Sequence, residues 1–204
     1  MNYSDELKIV WITPMRTGAR SSGSIMSKLN FENDNGKVQD AGVVHGIGIP
    51  QGKEHYKLIV NIRNPYSRSV SIFHINKTRS EKNHEKSFYD WVTKKKHDHH
   101  DEFLNIYIAN QIKKLPKEPD FYVRMENFQD DIRSLWFVKE NIDLLEQTIS
   151  YNIDKNRYSS EFDSCGFSMK KSWKEYYDEE MSEIVYEKLK NEFLFFNYDK
   201  NSWK

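Results

Sequence analysis

Lys8-Ile-Val-Trp-Ile-Thr13 runs directly into Pro14-Met-Arg-Thr-Gly-Ala-Arg-Ser-Ser22 near the start of the 204-residue chain. The same order returns where Lys57-Leu-Ile-Val-Asn-Ile62 runs into Arg63-Asn-Pro-Tyr-Ser-Arg-Ser-Val-Ser71. Each segment is an apolar run, then a basic turn, then residues that can begin a helix. Because helix N-termini and arginines both bind anions, two such turns could hold phosphate groups at two points of one ligand.

The composition indicates a soluble protein with an aromatic core. The chain has 31 basic and 31 acidic residues, so its net charge points neither to nucleic acid nor to an anionic membrane as partner. Aromatic residues make up 14% of the sequence. No stretch approaches the roughly 20 apolar residues of a membrane span, and no signal-peptide pattern opens the chain. The lone Cys165 excludes an intrachain disulfide, so we expect a reducing, cytoplasmic setting.

The apolar patterning predicts an α/β fold. Four short runs predict strands at residues 8–13, 41–45, 57–62 and 120–124. Helices are predicted to begin at Ser21 or Ser22 and near Pro65, and to cover residues 87–95, 101–115, 127–138 and 178–193. Residues 31–40 and 152–172 are predicted to be loops. We therefore expect one domain over residues 1–204, with a central, mainly parallel sheet flanked by helices and a helix-rich C-terminal part.

The first basic turn has the features of an anion-binding loop. Open parallel sheets bind ligands at the carboxyl edge of their strands, which the turn, His45 and Arg63 all reach. Gly18 permits a tight bend, and the following helix start presents backbone N–H groups. Cationic and hydroxyl donors are added by Arg16, Thr17, Arg20, Ser21 and Ser22. The alternative is an ordinary strand-to-helix turn with solvated arginines.

The second basic turn pairs an arginine with a hydroxyl. Ser71 follows Arg63 by eight residues, so a helix that begins near Pro65 could return the Ser71 hydroxyl toward an anion held by Arg63. Arg68 is predicted to lie at the surface. The alternative for this segment is an Asn-Pro helix cap beside an incidental arginine.

These two segments together resemble the sulfotransferases that use 3′-phosphoadenosine 5′-phosphosulfate, most closely the carbohydrate-type branch. The resemblance rests on Pro-x-[Lys/Arg]-[Thr/Ser]-Gly after one strand and on Arg-Asn-Pro-Tyr-x-Arg-x-x-Ser after another. Tyr122-Val-Arg-Met-Glu-Asn-Phe128 is similar to the family's strand that ends in a Glu, and residues 176–199 resemble its closing helix and aromatic tail. The resemblance implies a P-loop-like fold and sulfuryl transfer to a hydroxyl acceptor, a saccharide or small molecule, without a metal.

The resemblance also assigns residues to the nucleotide. The first turn would wrap the 5′-phosphosulfate, which involves Arg16, Thr17, Gly18, Ala19, Arg20 and Ser21. Arg63 and Ser71 would hold the 3′-phosphate. A late segment would close over the nucleotide, with Lys170 and Lys171 near the 3′-phosphate and Trp173 beside the adenine. Family members usually have small hydroxyl residues where Ala19 and Arg20 stand.

The transfer chemistry needs a cation at the leaving oxygen and a general base at the acceptor hydroxyl. Arg16 stands where the family places a Lys or Arg against the bridging oxygen. His45 is the predicted base, because it follows the second predicted strand at the ligand-binding edge. The alternatives are His74, Glu54 and His55.

Other functions are carried as alternatives. A small nucleotide or sugar kinase would need a G-x-x-x-x-G-K-[ST] loop, which is absent from the sequence. A non-catalytic nucleotide-binding homologue would keep the fold without transfer. His97-Asp-His-His-Asp101 contains metal-ligand types, but adjacent side chains splay apart, which favours a solvated segment. The sequence does not fix the oligomeric state.

Overall fold

The computed structural model describes residues 1–39, 42–79, 87–93, 107–156 and 172–204. The described residues form two compact units. The first unit is formed by described residues within Met1–Arg63 and Gln111–Asn156. The second unit is formed by described residues within Asn64–Asn110 and Arg157–Lys204. One domain over residues 1–204 stays a prediction. Within the described ranges, no helix is both long and apolar enough to cross a membrane.

Within its described residues, the first unit contains a mixed sheet of six strands in the order β4-β3-β1-β2-β5-β6. In chain order the strands are β1 (Asn2–Ser4), β2 (Ile9–Ile12), β3 (Glu32–Asn33), β4 (Gly36–Lys37), β5 (Lys57–Ile62) and β6 (Phe121–Arg124). β5 pairs in parallel with both β2 and β6. β1 pairs antiparallel with β2 and with β3, and β3 and β4 form an antiparallel hairpin. The predicted strands 8–13, 57–62 and 120–124 are confirmed, whereas the prediction of a mainly parallel sheet is not.

The parallel strands are buried as their sequences predict. All four residues of β2 are buried, as are the last five of β5. Continuous runs of Ile, Val and Leu suit strands that are covered on both faces. Because β2 and β5 are neighbours with Ile12 opposite Val60, the turns that follow them emerge at the same edge of the sheet.

The predicted strand at residues 41–45 is wrong for its described part. Residues 42–45 have no regular secondary structure. The physical reason is that both edges of β2 are already occupied, by β1 on one side and β5 on the other. Val44 instead pairs with a side chain, since its N–H donates to Oδ1 of Asn2 at 3.0 Å. Residues 31–40 include the β3–β4 hairpin, where a loop was predicted.

The helices of the first unit pack on one apolar core with the sheet. They are α1 (Ala19–Lys28), α5 (Phe128–Ser134), α6 (Trp136–Glu140) and α7 (Ile142–Asn156), with a 3₁₀ turn at Met125–Asn127. The predicted helix 127–138 is broken at Leu135, whose ψ of 132° is extended. α7 matches none of the predicted helices, and its last residues, 152–156, fall in a range that is predicted to be a loop. Trp11 lies at the centre of the core, with ring contacts to Phe31 and Phe137.

The second unit is helical and aromatic. It contains α2 (Pro65–Arg79), α3 (Phe88–Thr93), a 3₁₀ turn at Trp173–Tyr176 and α8 (Glu179–Phe196), and α4 (Ile108–Ile112) begins in it. The Tyr66 ring packs edge-on against the rings of Tyr177 and Phe193. Asp178 caps α8 by accepting a hydrogen bond from the N–H of Met181 at 2.8 Å. The predicted helix from residue 178 is confirmed, and the structure extends it to Phe196.

Candidate functional site

The turn after β2 is shaped by its backbone. The Thr17 hydroxyl donates to the Pro14 carbonyl at 2.6 Å, and the Thr17 N–H donates to the same carbonyl at 3.2 Å. Arg16 and Gly18 both adopt left-handed conformations, with φ of 65° and 88°. Two left-handed residues within three positions bend the chain tightly, and turns of this kind can present backbone N–H groups to an anion.

The start of α1 adds backbone donors to this candidate anion site. Gly18 is the N-cap residue, no side chain caps the helix, and its first turn has no acidic residue. The first intrahelical hydrogen bond runs from the Ser22 N–H to the Gly18 carbonyl at 3.1 Å. The N–H groups of Ala19 and Arg20 precede that bond in the chain, at the positive end of a helix that no side chain caps.

Gly18 is required sterically as well as conformationally. A Cβ built on Gly18 would lie 1.9 Å from Sδ of Met125, in the 3₁₀ turn that follows β6. Any larger residue would therefore displace Met125 or the turn. The end of β6 thus supports the turn after β2.

β5 and the residue that follows it hold the same turn through two side chains. Nη1 of Arg63 donates to the Arg16 carbonyl at 3.4 Å. Two positions earlier, the Asn61 side chain donates to the Thr17 carbonyl and to the hydroxyl of Ser22, at 3.0 and 2.7 Å. The structure therefore brings Arg16 and Arg63 together, as expected for turns at adjacent strand ends. Ser22, fully buried, anchors the turn.

His45 lies beside the first turn although it follows no strand. Its side chain is exposed, and Nδ1 is 3.0 Å from the Thr13 carbonyl oxygen. Because a carbonyl only accepts hydrogen bonds, this contact requires the proton on Nδ1. In the neutral ring Nε2 then carries the lone pair, as a general base needs.

Asn2 holds the segment that carries His45. Nδ2 of Asn2 lies 3.2 Å from the Trp11 carbonyl and 3.0 Å from the Val44 carbonyl. Asn2 is fully buried. This residue, Asn61 and Met125 were missed by sequence reasoning. The available signal for Asn61 was a polar residue inside the apolar run of residues 57–62.

The remaining predicted residues lie at the start of α1, in the second unit or outside the described ranges. Ala19 and Ser21 are in the first turn of α1, Ser21 buried, while Arg20 is exposed. Ser71 is buried in α2, and Trp173, in the 3₁₀ turn, packs against the second unit's core. Lys170 and Lys171 lie outside the described residues, as do His97–Asp101 and Cys165.

Arg68 is buried, which corrects its predicted surface location. It is 4% exposed, in α2. Burial lowers the pKa of Arg68 to about 10, and the opposing effect of Glu192 is smaller. Arg68 is therefore a buried residue of the second unit. Glu192 is itself buried and accepts a hydrogen bond from the Ala109 N–H at 3.0 Å.

The alternative bases occupy different surroundings from His45. His74 is 7% exposed, and its Nε2 lies 2.7 Å from the hydroxyl oxygen of Tyr176. Glu54 and His55 lie three and two positions before the first residue of β5, at the end of that strand opposite Arg63. Among the described residues, no group of His, Cys, Asp and Glu has the arrangement of a metal site.

Comparison with known proteins gives the family. No curated protein and no solved structure matches this sequence. The model of the sulfotransferase family matches residues 15–199. That range includes the turn after β2, His45, Arg63 and Ser71. The chain therefore belongs to the sulfotransferase family.

Proposed function

We propose that this protein transfers a sulfuryl group from 3′-phosphoadenosine 5′-phosphosulfate to a hydroxyl group of an acceptor that is a saccharide or a small molecule. The observation that carries the proposal is the hydrogen bond from Arg63 to the Arg16 carbonyl, because it joins the two basic turns of a sulfotransferase-family chain. Two adjacent cationic turns suit a ligand with phosphate groups at both ends of a nucleoside.

The turn after β2 would bind the 5′-phosphosulfate. Its two left-handed residues and the start of α1, which no side chain caps, would offer backbone N–H groups to the anion, and Arg16 would add a charge. Backbone groups supply most of these donors, so Ala19 and Arg20 need no hydroxyl for the turn to hold a phosphate. The absence of a hydroxyl there is therefore compatible with a working 5′ site.

The segment after β5 would bind the 3′-phosphate. Arg63 would supply the charge and Ser71 a hydroxyl, as the resemblance implies for an Arg and a Ser eight residues apart. Lys170 and Lys171 are proposed beside the same phosphate, and Trp173 beside the adenine, on the resemblance alone.

The transfer would proceed by in-line displacement at sulfur. The acceptor oxygen bonds to sulfur while the bond from sulfur to the bridging phosphate oxygen breaks. Nε2 of His45 takes the hydroxyl proton, and the bond's electron pair leaves with the phosphate oxygen. Arg16 stabilises the charge that develops on that oxygen. The products are the sulfated acceptor and 3′-phosphoadenosine 5′-phosphate, and no step needs a metal.

A calorimetric titration tests the nucleotide. We expect 3′-phosphoadenosine 5′-phosphate to bind and ATP to bind far more weakly, because ATP lacks a 3′-phosphate. Tight binding of ATP alone would contradict the proposal and favour a kinase. Transfer of ³⁵S from the labelled donor to a panel of saccharides and small alcohols then tests catalysis. Nucleotide binding without transfer to any acceptor would favour a non-catalytic homologue.

A further inference from the structure

Asn61 is a polar residue at a position that otherwise suits an aliphatic one. It lies in β5 between Val60 and Ile62, opposite Val123 of β6, and it is fully buried. Burial of an amide is costly unless its polar atoms are hydrogen-bonded. The partners of Asn61 therefore indicate what the residue does.

The hydrogen bonds of Asn61 fix the orientation of its amide. Nε1 of Trp11 can only donate, and it lies 2.8 Å from Oδ1 of Asn61. Nδ2 must then point the other way, where the Thr17 carbonyl and the Ser22 hydroxyl accept from it. Both amide groups are thus used, and Trp11 anchors the side chain to the core.

The two acceptors bracket the part of the turn that binds an anion. Thr17 directly precedes the left-handed Gly18, and Ser22 closes the first helical turn of α1. Fixing both ends fixes the backbone between them. We propose that Asn61 is a positioning residue of the 5′ site, which holds residues 17–22 in the shape that binds the 5′-phosphate without touching the nucleotide. This inference rests on the proposed function.

The position of Asn61 on β5 gives the arrangement a further consequence. Arg63 is the first residue after β5, and it also contacts the turn after β2. β5 and the residue that follows it therefore set the turn and supply the cation of the other phosphate site. A preformed turn raises affinity because the ligand does not have to order it.

The test compares two nucleotides that differ only at the 5′ position. One is 3′-phosphoadenosine 5′-phosphate, also called adenosine 3′,5′-bisphosphate, and the other is adenosine 3′-phosphate. The ratio of their affinities, measured by calorimetry, reports the contribution of the 5′-phosphate. Asn61→Leu conserves approximate size and neutrality but removes every hydrogen bond. We expect the ratio to fall by about tenfold or more, with affinity for adenosine 3′-phosphate changed by less than about twofold.

A matched control separates positioning from general destabilisation. Asn33 is another buried asparagine of the first unit, 6% exposed, whose Nδ2 donates to the Gly42 carbonyl at 3.0 Å. Asn33→Leu should leave the affinity ratio unchanged. If Asn61→Leu does not fold, Ser22→Ala replaces it, since it removes one acceptor of Asn61 and should lower the ratio by about two- to tenfold.

The outcomes separate this inference from the function on which it rests. An unchanged ratio in the folded Asn61→Leu variant, or in Ser22→Ala if that variant is used, overturns the positioning role alone. A variant that loses affinity for both nucleotides by the same factor also overturns the positioning role, because the ratio is then unchanged. If the wild-type protein binds the bisphosphate no more tightly than adenosine 3′-phosphate, the proposed 5′ site fails and the inference fails with it.

Discussion

The turns after β2 and β5 end neighbouring parallel strands, yet they present different groups to a ligand. The first passes through two left-handed residues into a helix that no side chain caps. In the second, Pro65 has no N–H, and the N–H of Tyr66 already donates to Oδ1 of Asn64 at 2.9 Å. The first turn therefore offers backbone N–H groups as candidate donors to an anion, whereas in the second we expect side chains such as Arg63 to supply the donors.

This difference predicts which kinds of substitution matter in each turn. In the first, a change acts by altering backbone shape, so residues that never reach the ligand can be decisive. In the second, a change acts by removing a charge or a hydroxyl while the backbone stays capped. The Asn-Pro cap that was the competing interpretation of residues 63–71 is present, and it leaves Arg63 available for contact with the first turn.

The largest expected effect is that of Gly18→Ala. An alanine there would be strained at a φ of 88°, and its Cβ would overlap Met125. We expect the free energy of unfolding to fall by about 2–6 kcal/mol, measured by urea denaturation. Gly52→Ala is the matched control, because Gly52 has a φ of 79° with nothing within 4 Å of its Cβ. Equal losses in the two variants would show that the Met125 contact is unimportant.

Next in size is the effect of His45→Ala on turnover. We expect kcat to fall by about 10²–10⁴-fold, because the acceptor proton loses its base. Affinity for 3′-phosphoadenosine 5′-phosphate should stay within about twofold. The imidazole contacts the Thr13 carbonyl, and His45 is not among the residues proposed to hold either phosphate. His55→Ala should keep its rate. Full activity in His45→Ala would assign the base to another residue.

A smaller effect, on the free energy of unfolding, is expected from a change of Asp120. This residue accepts hydrogen bonds from Lys57 and the Leu58 N–H at the start of β5, the end away from Arg63. Burial alone would raise the pKa of Asp120, but hydrogen bonds from Lys57, the Leu58 N–H and Lys117 lower it to about 2. A lowered pKa means that the carboxylate stabilises the fold above the unfolded value near 4, and that this contribution is lost as pH falls toward 2. The contribution is about 1–2 kcal/mol.

The pH dependence of unfolding measures that contribution. Asp120→Asn should flatten the stability profile between roughly pH 4 and 2, with nucleotide affinity at neutral pH unchanged. A loss of nucleotide affinity in this variant would show that the two ends of β5 do not act separately. An unchanged pH profile would contradict the ion pairs of Asp120 with Lys57 and Lys117.

The sequence predicts the local elements better than the arrangement of the sheet. Residues 57–62 are apolar almost throughout, and they form a buried strand as predicted. Residues 41–45 have a similar apolar character, but a strand also needs an open edge beside it. β1 occupies that edge, and its three residues are too short for a clear pattern.

Some residues of the candidate site could be predicted from the sequence and others could not. Arg16, Gly18 and Arg63 could be chosen from the sequence because each residue type has a specific chemical or conformational property. The contacts of Asn61, Asn2 and Met125 could not, because each depends on residues distant in the chain. Arg68 is predicted at the surface but is buried, because an arginine is usually exposed and the neighbouring sequence gives no sign of Glu192, 124 positions later, whose charge acts on it.

The most direct test of the two-turn account measures what the 3′-phosphate contributes. Calorimetry with adenosine 3′,5′-bisphosphate and adenosine 5′-phosphate gives that contribution for the wild type, for Arg63→Ala and for the control Arg20→Ala. We predict that Arg63→Ala removes about 2–5 kcal/mol of it, while Arg20→Ala leaves it unchanged. A 3′-phosphate contribution that persists in Arg63→Ala would contradict the account.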